Sequence, residues 1–237
     1  MIEIDKLIRT RRRTLALIVE HDGRLIVRAP MRAKEDAIHE FVEDKEKWIL
    51  TKQQQARARS MDFVPKQYVR GEEFLYLGNH YRLELVDTKK PALALDRGFR
   101  LAHAAVPRAA AVFEKWYRAR AFQVVSERVE WYAARHGFDH RKIKITAARK
   151  QWGSCGAQGN LRFAWRLVMA PMQIIDYVVV HELVHLQHKN HSKRFWAKVK
   201  AILPGFKQRI DWLKENGYLL NLEKTILDPK PLTRSAP

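Results

Sequence analysis

The sequence predicts an α+β fold, with an N-terminal β-rich lobe that contains a long helix and a small second lobe of helices and strands. Two observations carry this prediction: hairpin patterns with glycine turns fill the first part of the chain, and helical periodicity dominates the rest. Hydrophobic residues make up 46% of the 237 residues, with 10 glycines and 9 prolines, which is typical of a globular chain. We therefore expect lobes over residues 1–105 and 106–225 and a tail over residues 226–237.

The N-terminal lobe is expected to contain two hairpins separated by a helix. Residues 13–19 and 25–30 flank an Asp-Gly turn, and residues 74–77 and 81–86 flank a Gly-Asn turn, which are hairpin signals. Between them, residues 33–59 have the pattern of one long polar helix. Its buried stripe is expected to comprise Ile38, Phe41, Val42, Trp48 and Ile49.

The second half of the chain alternates between helix and strand signals. A proline opens a helix that Gly137 ends, and another proline opens the helix that follows the last strand. In chain order we expect short strands within 93–101, a helix over 107–136, strands over 142–147 and 161–168 with a turn over 156–159 between them, and helices from Pro171, over 193–202 and over 206–216.

The helix predicted from Pro171 carries the pattern H-E-x-x-H at His181, Glu182 and His185. Residues four apart lie on one face of a helix, so both imidazoles can reach one metal ion. Glu182 stands beside the first histidine, within reach of a water at that metal. This arrangement is typical of zinc hydrolases, in which three protein ligands leave one coordination position open.

A third ligand is expected shortly after this helix. His188 lies about 10 Å along the helix axis from the first histidine, too far for one ion. His191 is better placed, because residues 189–190 can end the helix and turn the chain back. Ser192 is then a good N-cap for the next helix. The pattern therefore becomes H-E-x-x-H-x5-H, and it predicts a Zn²⁺ site.

Several motifs together resemble the YgjP-like family, which comprises bacterial metal-dependent hydrolases grouped with small zincin-type peptidases and related to SprT-like proteins. The motifs are Trp152-Gly153-Ser154-Cys155, Trp165-Arg166-Leu167, Ala170-Pro171, the run from Asp176 to Leu186, Asn190-His191-Ser192 and Phe195-Trp196. The similarity is densest over residues 144–201. It implies a zincin-like metallopeptidase lobe with zinc ligands at His181, His185 and His191 and a catalytic Glu182.

Substrate contacts are predicted by analogy with zinc peptidases, in which an edge strand binds an extended peptide by β-addition. The strand near Trp152 or the one that begins at Leu161 is the candidate. Trp152, Ser154 and Tyr177 are the candidate substrate-binding residues. For Trp152 the alternative is a core aromatic, for Tyr177 a structural tyrosine. Cys155, the only cysteine, is a candidate zinc ligand or nucleophile or, alternatively, a small strand residue.

Three functions compete at this point. The first is a zinc metallopeptidase in which Glu182 is the general base for a zinc-activated water. The second is a metal-dependent nucleotide (UTP-type) pyrophosphohydrolase, an activity assigned within the family, although the sequence has no glycine-rich phosphate loop. The third is a DNA-associated SprT-like protease or a basic nucleic-acid-binding protein. Peptide cleavage, nucleotide turnover and salt-sensitive DNA binding distinguish them.

The composition restricts partners and compartment. A net charge of +19 attracts nucleotides, nucleic acid or acidic proteins, besides the peptide or protein substrate. The single cysteine suits a reducing compartment. The N-terminus lacks the apolar segment of a signal peptide, and no apolar run is long enough for a membrane span. We therefore expect a cytoplasmic protein without a membrane partner; the sequence sets no oligomeric state.

Overall fold

The computed structural model describes residues 2–20, 23–62, 65–88, 90–149 and 151–222. These residues form two compact units, one within residues 1–64 and one within residues 65–223. Both units combine helices with small sheets, so the prediction of an α+β fold is confirmed. The turn residues His21 and Asp22 and the predicted tail over 226–237 lie outside the described residues.

The first unit is a three-stranded sheet followed by two helices. Its central strand pairs in parallel with the first strand and antiparallel with the second. This confirms the first hairpin and adds a parallel strand that the sequence analysis did not predict. The elements are β1 (Lys6–Thr10), β2 (Ala16–Val19), β3 (Leu25–Pro30), α1 (Glu35–Asp44) and α2 (Glu46–Asp62).

The long N-terminal helix expected over residues 33–59 is divided into α1 and α2. Lys45 leaves helical geometry with φ −106° and ψ 13°, and its N–H bonds the carbonyl of Val42 at 3.1 Å, three residues back. Ile38 and Ile49 are buried as predicted, but Trp48 is 43% exposed. That part of the predicted stripe is wrong: Ile38, Val42 and Ile49 lie on the buried face, and Trp48 lies outside it.

The second unit begins with a four-stranded sheet. Strands β4 (Glu73–Tyr76), β5 (Asn79–Val86), β6 (Leu93–Leu95) and β7 (Phe99–Ala102) are arranged in the order β4-β5-β7-β6. The β4-β5 hairpin and the short strands within residues 93–101 are therefore confirmed. The β5 and β7 strands run parallel, whereas the other neighbours are antiparallel.

A long helix and a second small sheet follow. After a 3₁₀ turn over His103–Arg108, α3 (Ala109–His136) runs to Gly137, whose φ of 67° ends the helix in the left-handed conformation. The sheet has the order β8-β10-β9 and consists of β8 (Ile143–Thr146), β9 (Gly153–Cys155) and β10 (Leu161–Ala164).

The connections in this sheet differ from the prediction. The turn over residues 156–159 joins β9 to β10 as an antiparallel hairpin, whereas β8 pairs with β10 in parallel. A parallel neighbour needs a crossover and cannot be reached by a short turn. Strand β10 also ends earlier than expected, in a 3₁₀ turn over Trp165–Met169. The result is that β9 is an edge strand.

Three helices complete the unit: α4 (Met172–Gln187), α5 (Lys193–Ile202) and α6 (Phe206–Asn216). Helix α4 is buried on all sides over most of its length, since Ile174, Ile175 and every residue from Tyr177 to Val184 are inaccessible. A helix that is apolar all round belongs in a core. The metal-motif helix is thus the centre of this unit.

The start of α4 is fixed by the β4-β5 hairpin and by α3. The N–H groups of Leu77 and Gly78 donate to the carbonyls of Val168 and Met169 at 2.9 and 3.0 Å. A Cβ on Gly78, whose φ is 81°, would lie 2.8 Å from a side-chain carbon of Pro171. These contacts hold the chain that leads into α4 at a fixed position.

One hydrophobic core runs through the whole second unit, from Phe74 on β4 and Phe99 on β7 to Val180 on α4. The compact units therefore divide near residue 64, whereas the sequence analysis predicts a lobe boundary at residue 105. The two differ because the second hairpin packs on the metal-motif lobe. Among the described helices, none has both the length and the apolar character that crossing a bilayer requires.

Candidate metal centre

Two of the candidate ligands are presented by the buried C-terminal half of α4. His181 and His185 are separated by one helical turn, so their imidazoles point in the same direction. His181 is 1% exposed, whereas His185 is half-buried. The helix thus carries both side chains from the core to one side of the unit.

The third candidate is brought back by the chain that follows α4. The helix ends at His188, which is extended with φ −126° and ψ 101°. The carbonyl of His188 accepts a hydrogen bond from Nδ1 of His185 at 2.9 Å. Ser192 then caps α5, because its Oγ accepts from the N–H of Phe195 at 3.4 Å. Between these two fixed points, His191 is directed towards the other histidines.

The three Nε2 atoms converge on one point. They are 3.2 Å apart for His181 and His185, 3.2 Å for His185 and His191, and 3.0 Å for His191 and His181. Tetrahedral zinc with Zn–N bonds near 2.0–2.1 Å separates its nitrogen ligands by about 3.3 Å. The three histidines form a group that could hold a metal ion, and His188 is outside it.

The opposite nitrogens of two imidazoles have partners that fix the orientation of the rings. Nδ1 of His185 donates to the His188 carbonyl, which leaves Nε2 as the free lone pair. Nδ1 of His181 lies 3.4 Å from the hydroxyl of Tyr177. Burial raises the pKa of Tyr177, so this phenol stays neutral. Partners of this kind orient metal-binding histidines.

Two aromatic side chains of α5 pack against the three histidines. The ring of Phe195 is completely buried, and its centroid lies 4.9, 4.6 and 4.8 Å from the rings of His181, His185 and His191. Trp196 stacks on His191 with centroids 5.6 Å apart and an interplanar angle of 23°. Helix α5 therefore packs against the imidazoles through these two rings and limits their rotation.

Electrostatics favour the neutral imidazoles that bind metals. Burial lowers the pKa of His181, and the neighbouring His185 and His191 lower it further. Burial also lowers the pKa of His185; the bond to the His188 carbonyl opposes this, and Lys189 adds to it. Because a ligand must lose its proton before it binds, these shifts aid metal binding near neutral pH.

Glu182 lies in a closed space between α4 and strand β9. It is 2% exposed, and burial raises its pKa to about 8. The Glu182 side chain fits against β9 only because residue 153 is a glycine. A Cβ at Gly153 would lie 2.6 Å from Cγ and 2.7 Å from Oε1 of Glu182. Gly153 is therefore a residue of the site that the sequence analysis missed as such. A glycine inside a strand was the available signal, since it often marks a close approach.

The candidate substrate-binding residues lie at different depths. Trp152 is 3% exposed and packs against Gly217, and Tyr177 is completely buried. Their burial favours the alternatives, in which Trp152 is a core aromatic and Tyr177 a structural tyrosine. Ser154 is half-buried on the edge strand β9, and substrate contact by all three stays a prediction. Cys155 is half-buried and outside the histidine group; burial raises the pKa of its thiol.

Comparison with known proteins identifies a family and a solved structure that is similar to part of the chain. The model of the YgjP-like metallopeptidase domain matches residues 13–216. Among solved structures, the crystal structure of the metallopeptidase zymogen of Pyrococcus abyssi abylysin matches with a TM-score of 0.35 and 21% identity, over 38% of this chain and 90% of that chain. No curated protein matches the chain.

Proposed function

Because this chain belongs to the YgjP-like metallopeptidase family, we propose that it hydrolyses peptide bonds with a zinc ion held by His181, His185 and His191. The observation that carries the proposal is the convergence of the three Nε2 atoms to within 3.2 Å of one another. Three imidazole nitrogens with room for a fourth ligand suit catalytic zinc.

When bound, zinc lowers the pKa of a water molecule and polarises the scissile carbonyl. The chain's own contribution is to hold the three imidazoles neutral and oriented. Tyr177 and the His188 carbonyl do this from the far side of two rings, at 3.4 and 2.9 Å. Phe195 keeps the inner side of the group apolar.

Glu182 is the proposed general base. It takes the proton from the attacking water and returns it to the leaving amine. Burial alone holds this carboxyl group protonated up to about pH 8. A dication next to it favours the carboxylate, which is the form that accepts the proton. Confinement against Gly153 restricts the carboxylate to one position.

The edge strand β9 is the proposed binding place for the peptide backbone. It pairs with β10 on one side only within the described sheet, and its Gly153 touches Glu182. An extended peptide that adds to the other side of β9 would run past the base and the histidines. Ser154 is the candidate contact residue on this strand.

Zinc content and peptide cleavage test the proposal together. Native protein and His188→Ala should carry about one zinc per chain, whereas His185→Ala should lose it. His188→Ala is the matched control, because it keeps the backbone carbonyl that holds His185. Glu182→Gln should keep the zinc and lose peptide cleavage by about 10²- to 10⁴-fold. Absence of zinc from native protein after reconstitution would overturn the proposal.

The alternative functions are assayed on the same samples. Nucleotide turnover without peptide cleavage would select the pyrophosphohydrolase. Cleavage that depends on added DNA would select the DNA-associated protease, and DNA binding without zinc would select the basic binding protein. The observation in favour of an anionic substrate is the charge of the segment that forms the site.

A further inference from the structure

The segment that builds the metal centre is strongly basic. Residues 140–210 contain fourteen lysines and arginines but only two acidic residues, Asp176 and Glu182. The chain has no acidic residue between Glu182 and Asp211. The part of the chain that supplies the three histidines therefore carries many cationic side chains and few carboxylates.

Both acidic residues of this segment are already engaged. Asp176 accepts two hydrogen bonds from Arg128 of α3, at 2.6 and 3.1 Å. Glu182 is enclosed between α4 and Gly153. Neither carboxylate is available at the surface, so the positive field near the site is open to an anionic group of the substrate.

One lysine lies at the centre of this field. Lys189 is exposed and sits in the short connection between the ligands His185 and His191. It directly follows His188, whose carbonyl bonds to His185. The backbone of Lys189 is therefore held close to the metal centre, while its side chain reaches solvent.

The same lysine also lies near the edge strand. Burial raises the pKa of the Cys155 thiol at the end of β9, and the charge of Lys189 acts against that rise. Arg162, on β10 opposite Ser154, brings a second cation there, with Nη1 3.9 Å from the Cβ position of Gly156. Two cations thus lie near the end of the strand along which a peptide would run.

We propose that Lys189 is a specificity-determining residue, which selects peptides that carry an acidic side chain next to the cleaved bond. This inference rests on the proposed peptidase function. An ammonium group and a carboxylate attract one another by a charge-assisted hydrogen bond, and Arg162 adds to the attraction from the end of the edge strand. A peptide is favoured over nucleic acid because β9 has one unpaired side within the described sheet, to which an extended peptide backbone can add.

The test uses the zinc-loaded full chain and sets of quenched fluorescent peptides. Each set differs only in Asp, Asn or Lys at one position beside the scissile bond. Native protein should cleave the Asp peptide about 2- to 5-fold more efficiently than the Asn peptide, as expected for one partly exposed ion pair. The preference should shrink as salt is added.

Lys189→Gln should abolish the preference for Asp over Asn, measured as the ratio of kcat/KM for the two peptides on one zinc-loaded sample. Lys189→Arg should keep the preference, because it keeps the charge. The matched control is Arg97→Gln in the β6-β7 turn, which removes the same charge from an exposed position and should leave the preference unchanged.

Other outcomes would overturn the inference in distinguishable ways. If Lys189→Gln lowers cleavage of the Asp and Asn peptides equally, Lys189 acts on the site as a whole and not on specificity. If native protein cleaves all three peptides equally and a single-stranded DNA oligonucleotide inhibits it, the basic field serves nucleic acid. Both results leave the peptidase intact, whereas failure to cleave any peptide removes the proposed function as well.

Discussion

The carboxyl group of Glu182 occupies the space that a side chain on Gly153 would fill. A Cβ at Gly153 would lie 2.7 Å from Oε1 of Glu182 and 2.6 Å from its Cγ, distances at which a methyl group would overlap these atoms. The strand β9 and the metal-motif helix α4 therefore meet at a glycine. The position of the proposed base is set by this backbone contact.

Gly153→Ala should displace Glu182 and lower kcat/KM for peptides by about 10- to 100-fold, the range expected for a misplacement near 1 Å. Zinc content should stay at the native level, because no histidine is touched. Steady-state kinetics and metal analysis on the same sample check this. Gly156→Ala is the matched control, since its Cβ would meet neighbours only at 3.5 Å or more; equal losses in both variants would contradict the prediction.

The metal-free protein should become more stable on Glu182→Gln as pH rises. In the folded state the pKa of Glu182 is about 8, above the ordinary 4.5. Its contribution to stability is therefore complete below about pH 4.5 and is lost as the pH rises through 8, whereas glutamine has no such loss. Denaturation in chelator from pH 5 to 9 should show a gain that grows to about 3–5 kcal/mol. If the free energy of unfolding depends on pH in the same way in native protein and Glu182→Gln, the carboxyl group of Glu182 does not have the raised pKa.

Tyr177→Phe should weaken zinc binding by about tenfold, because it removes the hydroxyl that orients His181. Competition with a chromogenic chelator measures the affinity directly. Tyr117→Phe serves as the control: its equally buried hydroxyl donates to the carbonyl of Leu75 at 2.6 Å, away from the histidines. An unchanged zinc affinity in Tyr177→Phe would mean that the helix alone orients His181.

Phe195→Ala should destabilise the protein by about 3–5 kcal/mol and also reduce the additional stability that zinc confers. The second effect is expected because Phe195 contacts all three imidazoles. Thermal melts with and without zinc separate the two effects. Phe113→Ala truncates another completely buried phenylalanine, which stacks on Phe74 and not on the histidines. It should lose stability but keep the full zinc effect, and identical behaviour of the two variants would refute a special role for Phe195.

Much of the fold follows from local signals in the sequence. The turn glycine at 78, Gly137 at the end of α3 and the proline before α4 mark element ends where the structure has them. The spacing of His181, His185 and His191 was enough to expect the three side chains together, and their Nε2 atoms do converge. These features depend on residues close in sequence, which is why periodicity and caps reveal them.

Features that depend on distant pairing were not predictable. The parallel pairing of β1 with β3 and of β8 with β10 joins segments whose own patterns do not encode a partner. The break at Lys45 lacks the usual glycine or proline. The contact of Gly153 with Glu182 arises only when β9 packs on α4, and the sequence does not indicate that packing. The cytoplasmic compartment and nucleic-acid binding stay predictions from composition.

The burial of α4 on every side also links catalysis to the stability of the second unit. The same helix supplies eight buried apolar residues of the core and two of the three histidines. It has no solvent-facing half that could fray while the rest stays folded, so the site does not belong to a separately melting region. Heat inactivation of this protein should therefore coincide with cooperative loss of the whole unit, and substitutions that protect the core should prolong the working life of the enzyme at high temperature.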